Sequence, residues 1–310
     1  MGVVTKIPVK DMSHDEWVES RKSSIGGSDA STILGLNPYS SPYALWAEKT
    51  GTVAPEDISG KEAVRLGTFL EPYVAQRFSE ETGKKVRREN YILKNSDYPW
   101  AHANVDRLVI GEKAGLECKT TSVLNLSKFK NGEYPANYYC QCMHYMAVTG
   151  YEKWYLAVLI GNRELRIFEI LRDEEEIAAL MDAEQQFWQC VEFNMPPPVD
   201  GSRATSKTLD TIYTDEGGVV DLTPVCANIR QYLDLKAQIK SLEQQMDTAA
   251  NNIKEYMGGA NKGTYEDFSV SWVSRSKSSF DKKAFQQANP GIDLAPYFKT
   301  STYRQFSVKG

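Results

Sequence analysis

The sequence predicts an α/β fold: a mixed central β-sheet flanked by helices, followed by an extension with one long helix and a small strand-rich region. Three features predict it. Apolar residues recur at helical spacing over residues 61–82, and the period then changes to strand-like runs at 100–121 and 153–171. Beyond "MPPPVDGS" (195–202), which reads as a linker, an apolar stripe with alternating steps of three and four runs from Val225 to Tyr256. The expected boundary lies at 198/199, with a long helix over 223–257 and a basic, strand-rich tail over 258–310.

The individual elements follow from local chemistry. Asn37 to Pro42 form a turn cluster, and "YALWAEKTG" (43–51) has helical spacing with Gly51 as its stop. Val64, Leu70, Val74 and Phe78 lie on one stripe of the 61–82 helix, which Gly83 ends. Pro72 within it predicts a kink near Glu71 or a restart there. "WAHANVDRLVI" (100–110) and "GLECKTTS" (115–122), separated by "GEKA", read as a hairpin. A helix is expected over 135–149. "KWYLAVLIGNRELRIFEIL" (153–171) repeats the hairpin pattern with Gly161-Asn162 at its turn. The acidic run 173–176 opens a further helix, where the macrodipole favours negative charge. Thr223-Pro224 reads as a cap followed by proline at the first position of the long helix.

Composition excludes several classes. A chain of 310 residues with 41% hydrophobic and 25% charged residues belongs with globular proteins that bury a full core. Its net charge of −5 confines any nucleic-acid surface to a local patch. The sequence has no apolar run of membrane-spanning length, and its first residues lack a secretory apolar region, so a cytoplasmic location without membrane association is expected. Five cysteines, an odd number, suit reduced thiols rather than a disulfide framework. His14, His102 and His144 have no partners at zinc-ligand spacing, and His144 is expected to pack or to face solvent.

The chemistry concentrates in "GLECKTTS". Residues two apart on a strand share a face, so Glu117 and Lys119 point one way while Leu116, Cys118 and Thr120 point the other. His102, Asn104 and Asp106 are expected to share a face of the preceding strand. In a hairpin, Asp106, Glu117 and Lys119 can then converge. An acid on one strand and Glu-x-Lys on the next supply the hard oxygen ligands that Mg²⁺ prefers and a cation for the attacking water, as two-metal phosphodiester hydrolysis requires. The same spacing also arises as an ordinary cross-strand ion pair.

The ordered set Trp17, Arg21, "IGGSDA", "LGTFLEP", "NVD", "LECKT" and "YYCQ" resembles the YqaJ viral recombinases, phage alkaline exonucleases related to the lambda exonuclease, of the PD-(D/E)xK nuclease superfamily. The resemblance covers about residues 13–195 and makes residues 1–198 a nuclease domain with a restriction-endonuclease-like core. It implies Asp106 and Glu117 as metal carboxylates, the Cys118 carbonyl as a further ligand, and Lys119 as the catalytic lysine. It implies Glu71 as support for a second metal or its waters, and Gln141 as a contact of the attacking water or of the lysine. Tyr138 stands at the family's interval before Gln141. Arg21 and Ser28 match a pocket for a 5′-phosphate, where Asn104 replaces the serine of the lambda enzyme.

The activity so implied is a Mg²⁺-dependent 5′→3′ exonuclease on double-stranded DNA ends, with two metals per site and Mn²⁺ able to substitute. It leaves a 3′ single strand for a phage single-strand annealing protein. A homo-oligomer, a trimeric ring by resemblance, is implied too, although residues 199–310 exceed the plan of the shorter lambda enzyme. Lys84 to Arg88, with Lys128 and Lys130, form a candidate track for the DNA backbone or a solvated loop. The alternatives are a structure-specific endonuclease of the same superfamily and a non-catalytic DNA-binding recombination scaffold. Iron–sulfur nucleases of that superfamily need four cysteine thiolates, typically one before the nuclease core and three after it; this chain has no cysteine before Cys118.

Overall fold

The computed structural model describes residues 2–9 and 12–308 and, in the first helix, not the side chains of residues 14, 15, 17 and 18. The Trp17 side chain of the sequence motif therefore lies outside the described residues. The chain forms two compact units that divide between Thr214 and Asp215.

In the first unit the elements are β1 (Val4–Pro8), α1 (His14–Lys22), β2 (Ile25–Gly26), α2 (Gly27–Ile33), α3 (Pro42–Lys49) and α4 (Glu62–Thr82). Five strands follow: β3 (Val86–Arg88), β4 (Tyr91–Asn95), β5 (Tyr98–Ala103), β6 (Arg107–Val109) and β7 (Ala114–Thr121). Then come α5 (Ala136–Thr149), β8 (Lys153–Ile160), β9 (Glu164–Leu171), α6 (Glu174–Glu192) and α7 (Arg203–Ile212). Helix α4 continues through Pro72 as a single element, so it does not restart there. Asp173 caps α6, accepting from the backbone amides of Glu175 and Glu176.

The strands form two sheets. The larger is mixed, in the order β3-β6-β7-β8-β9, with β7 and β8 parallel and the other pairs antiparallel. Its period-two alternation feeds two cores. Leu156, Val158 and Ile160 of β8 face Met143 and Met146 of α5, while Tyr155 and Ala157 face Val74 and Phe78 of α4. Helix α6 adds Ile177, Leu180 and Met181 to the α5 side. The smaller sheet has the order β1-β4-β5-β2.

This division corrects the expected 100–121 hairpin. The run from Trp100 is not one strand: β5 belongs to the smaller sheet, β6 to the larger, and residues 104–106 carry the chain between them. His102, Asn104 and Asp106 therefore do not share a strand face. The hairpin is the short one of β6 and β7, with Arg107 opposite Leu116 and Leu108 opposite Gly115. β5 is drawn away because it pairs on one side with β4 and on the other with Ile25 and Gly26 of β2.

The expected 198/199 boundary also moves. Leu209 and Ile212 of α7 pack on the cluster of Tyr43, Leu45, Trp46 and Phe187. The buried Thr205 hydroxyl donates to Ser41 at 2.8 Å, which ties α7 to the first unit.

In the second unit a single 3₁₀ turn over Thr223–Val225 precedes α8 (Cys226–Met257), so the α-helix starts after the Thr-Pro pair rather than on it. A two-stranded hairpin follows, β10 (Lys262–Tyr265) and β11 (Phe268–Ser271), and then α9 (Lys282–Ala288). The strand-rich tail is thus limited to two strands. Asp281 caps α9 by accepting from Ala284 at 3.0 Å, and the polar run before it lacks the alternation a further strand needs.

Candidate active site

The larger sheet positions the central carboxylates. β6 pairs with β7 only as far as Leu116, so the next stretch of β7 has no backbone partner on that side. The side chain of Asp106 takes the place: its Oδ2 accepts from the Cys118 amide at 2.8 Å. One carboxylate oxygen thereby stands in for a strand carbonyl and holds Asp106 beside Glu117.

Glu117 and Lys119 do share a face, the one covered by α5, and Cys118 packs on the α4 side. Glu117 is 3% exposed. Its Oε1 meets Lys119 Nζ at 2.6 Å and accepts from Gln141 Nε2 at 2.8 Å. Its Oε2 is buried and has no hydrogen-bond partner. Lys119 Nζ also lies 5.5 Å from the centroid of the Tyr138 ring, a cation–π distance. Gln141 thus contacts Glu117 rather than the lysine.

The electrostatics reflect crowded negative charge. Burial and then Glu117 push the Asp106 carboxyl up to about 8, against the Cys118 amide and Lys119, which favour its ionised form. Burial opposes the charge on Lys119, but Glu117 and Asp106 outweigh it and hold the ammonium above the ordinary lysine range. Burial, then Asp106 and Glu117, raise the Cys118 thiol, which is therefore no thiolate ligand.

The residues suit a divalent cation in one respect and depart from expectation in another. A buried carboxylate oxygen without a partner, beside a second carboxyl kept from ionising partly by the first, is a donor set that a hard cation would complete. Glu71 does not join them. Its Oε1 pairs with Arg107 Nη1 at 2.5 Å, and Arg107 also donates to the Asp106 carbonyl at 2.7 Å. Among the described residues no three His, Cys, Asp or Glu side chains are gathered to hold a metal ion. Glu71 is thus held in an ion pair with Arg107 and adds negative field at Asp106.

Arg21 and Ser28 are brought together as expected: Arg21 Nη2 donates to Ser28 Oγ at 3.1 Å, with Ser28 exposed. Asn104 is half-buried in the link between the two sheets and takes no part in that bond. Beneath the pair lies an unpredicted anchor. Lys49 Nζ donates to the carbonyls of Arg21 and Ser24, at 2.6 and 2.8 Å, and to Asp29 Oδ2 at 2.7 Å. Burial alone would raise the Asp29 carboxyl, but Lys49 and the Gly26 amide hold it below the usual range. The two halves of the site meet through Tyr145, whose hydroxyl accepts from Gln141 at 2.8 Å. Its ring packs so closely on Gly27 that a Cβ there would lie 2.5 Å from Tyr145 Cε1.

Other residues escaped the sequence reading. His144 packs, as expected, but in a polar setting the sequence did not show: its Nδ1 meets Glu184 Oε1 at 2.7 Å, both fully buried, and its Nε2 meets the His102 carbonyl at 2.9 Å. Arg107 carried a weak signal, a cation heading the apolar run "RLVI". The candidate basic track is partly neutralised, since Lys84 pairs with Glu112 and Arg87 with Glu89.

The fold of the first unit is shared with solved structures of exonucleases. The crystal structure of the alkaline exonuclease LHK-Exo from Laribacter hongkongensis matches with a TM-score of 0.50 at 20% identity, over 58% of this chain and 94% of that one. Its complex with dAMP matches with the same TM-score at 21% identity, over the same shares of the two chains. The model of the YqaJ-like viral recombinase domain matches residues 16–152. YqaJ of Bacillus subtilis (strain 168) is 40% identical over 305 residues, 96% of this chain and 95% of that protein. The chain belongs to the YqaJ-like viral recombinase family. Among the described residues no helix is long and apolar enough to cross a membrane.

Proposed function

We propose that this protein is a 5′→3′ exonuclease on double-stranded DNA ends, dependent on Mg²⁺ with Mn²⁺ able to substitute, that leaves a 3′ single strand for an annealing protein in the cytoplasm of the host. The observation that carries the reading is Glu117: one oxygen is fixed by Gln141 and Lys119, and the other is buried without a partner beside Asp106. Asp106, Glu117 and the Cys118 carbonyl would hold the cation, with Glu71 acting from its ion pair with Arg107. A bound divalent cation supplies charge neutralisation at the scissile phosphate and a lowered pKa for the attacking water. Lys119 holds that water and faces the charge developing on the phosphate. Arg21 and Ser28 receive the 5′-phosphate of the strand being digested, Asn104 lying near enough in sequence to Asp106 to border it. LHK-Exo, the structural relative, has been solved with dAMP, a nucleoside monophosphate of the kind that stepwise digestion releases. Assembly as a ring around DNA would concentrate the local positive potential of several chains in one channel, despite the net charge of −5 on each.

The test follows end-labelled linear and closed circular duplex over time, with and without Mg²⁺. Linear DNA is expected to shorten only with metal, faster from 5′-phosphorylated ends, and Glu117→Ala or Lys119→Ala to abolish digestion without unfolding the chain. Full activity in both variants removes the site assignment. Cleavage of the circle establishes an endonuclease, and binding without shortening establishes a non-catalytic scaffold.

A further inference from the structure

The second unit contains an apolar surface with no partner. α8 is 32 residues long and none of them is buried. From Leu235 to Tyr256 its apolar residues keep a strict seven-residue repeat. Ile239, Met246 and Ile253 occupy one core position, and Leu235, Leu242, Ala249 and Tyr256 the other. Apart from Ala249 these side chains are 46–95% exposed. Among the described residues of the unit, Phe306 covers the start of the stripe, where it meets the Tyr232 ring edge-on at 5.6 Å. A helix of this kind draws most of its stability from packing an apolar face, and here that face is open.

We infer that α8 pairs with α8 of a second copy of this chain as a parallel, two-stranded coiled coil. The repeat identifies the mode: apolar side chains every 3.5 residues keep their seam on a partner only when two helices supercoil, and the seam from Tyr232 to Tyr256 extends about 36 Å. The residue types select the number of strands, because β-branched isoleucine at the first core position with leucine at the second favours two strands in parallel coiled coils.

The charges select a like partner. Gln231, Gln238, Gln245 and Asn252 occupy the flanking position that meets the partner's Lys236, Glu243, Ala250 and Met257, so no like charges oppose one another between identical helices. α8 carries four basic residues (Arg230, Lys236, Lys240, Lys254) and four acidic ones (Asp234, Glu243, Asp247, Glu255). Two copies therefore approach without net repulsion, and no strongly charged partner is selected. The pairing is independent of the nuclease reading.

The test uses the full chain with the exposed Cys226 replaced by serine. Under mild oxidation Leu242→Cys is expected to form a disulfide-linked dimer, and Gln244→Cys, on the outer face, is not. In light scattering, Ile239→Glu with Leu242→Glu is expected to halve the mass of the assembly, from two copies to one or, where the first unit forms a ring, from two rings to one. A mass unchanged by the two substitutions overturns the pairing, as does a wild-type chain that is monomeric. Halved mass without the Leu242→Cys link, or equal linking at residue 244, overturns the parallel seam.

Discussion

Gln141 and Lys119 converge on the same atom. The Gln141 amide donates to Glu117 Oε1 at 2.8 Å, and Lys119 Nζ meets that oxygen at 2.6 Å. The glutamine is itself fixed by Tyr145, one helical turn away on α5. Glu117 is thus oriented from above by the helix and from its own strand by the lysine, while its second oxygen is buried without a partner.

Gln141 should accordingly act by positioning. Gln141→Leu is expected to lower the digestion rate about 10–100-fold, the usual cost of losing a group that orients a metal-side ligand, with little loss of stability. A full rate in steady-state assays on linear duplex would show that Lys119 alone suffices to orient Glu117.

Lys49 supports the proposed 5′-phosphate pocket of Arg21 and Ser28 through its bond to the Arg21 carbonyl. Lys49→Met removes three hydrogen bonds and leaves the Asp29 carboxylate buried, so unfolding in denaturant should show a loss of about 3–5 kcal/mol. The surviving folded protein is expected to lose its preference for 5′-phosphorylated ends while digesting 5′-hydroxyl ends at the parental rate. An undiminished preference would free the pocket from Lys49.

Gly27 is required by close approach. Gly27→Ala places a Cβ 2.5 Å from the Tyr145 ring and should cost about 1–3 kcal/mol. Gly60→Ala, with open space around it, is the control and should be neutral in the same denaturant series.

His102 should set an acid limit on stability. Burial, then His144 and Lys49, hold its imidazole down to about 3, from an ordinary 6.5, and its Nδ1 is engaged with Ser24 Oγ at 2.8 Å. As pH falls through 6.5 the unfolded chain takes up a proton that the native state refuses until about 3, so stability is lost across that window. His144 has the opposite sign. Burial would lower it, but Glu184 raises it above 6.5, so its contribution is full below 6.5 and is lost as pH rises through the raised value. His102→Asn is expected to flatten the slope of unfolding free energy between pH 6 and 4; an unchanged slope would assign the acid limit to other groups.

Much of the fold was legible because it rests on local periodicity. The helices α4, α5 and α6, the β8–β9 hairpin and the shared face of Glu117 and Lys119 all follow from steps of two or of three and four. What misled was continuity: "WAHANVDRLVI" alternates smoothly across two strands of different sheets, and nothing in the spacing marks the crossing at Asn104 to Asp106. At Pro72 the spacing left a kink or a restart open, and the helix does not restart.

By itself the sequence determined the α/β class, the family, the choice of Asp106, Glu117 and Lys119 as candidates, and the heptad stripe of α8, because each is carried by residue type and spacing within a short window. Tertiary structure alone decided which groups meet. It turned Asp106 onto the Cys118 amide, assigned Glu71 to Arg107, joined Gln141 to Glu117, and placed Lys49 under Arg21. These contacts depend on which sheet a strand joins and which face a helix buries. Both are settled by burial of apolar surface over the whole unit, and polar side chains then pair with whatever that packing brings within hydrogen-bond distance.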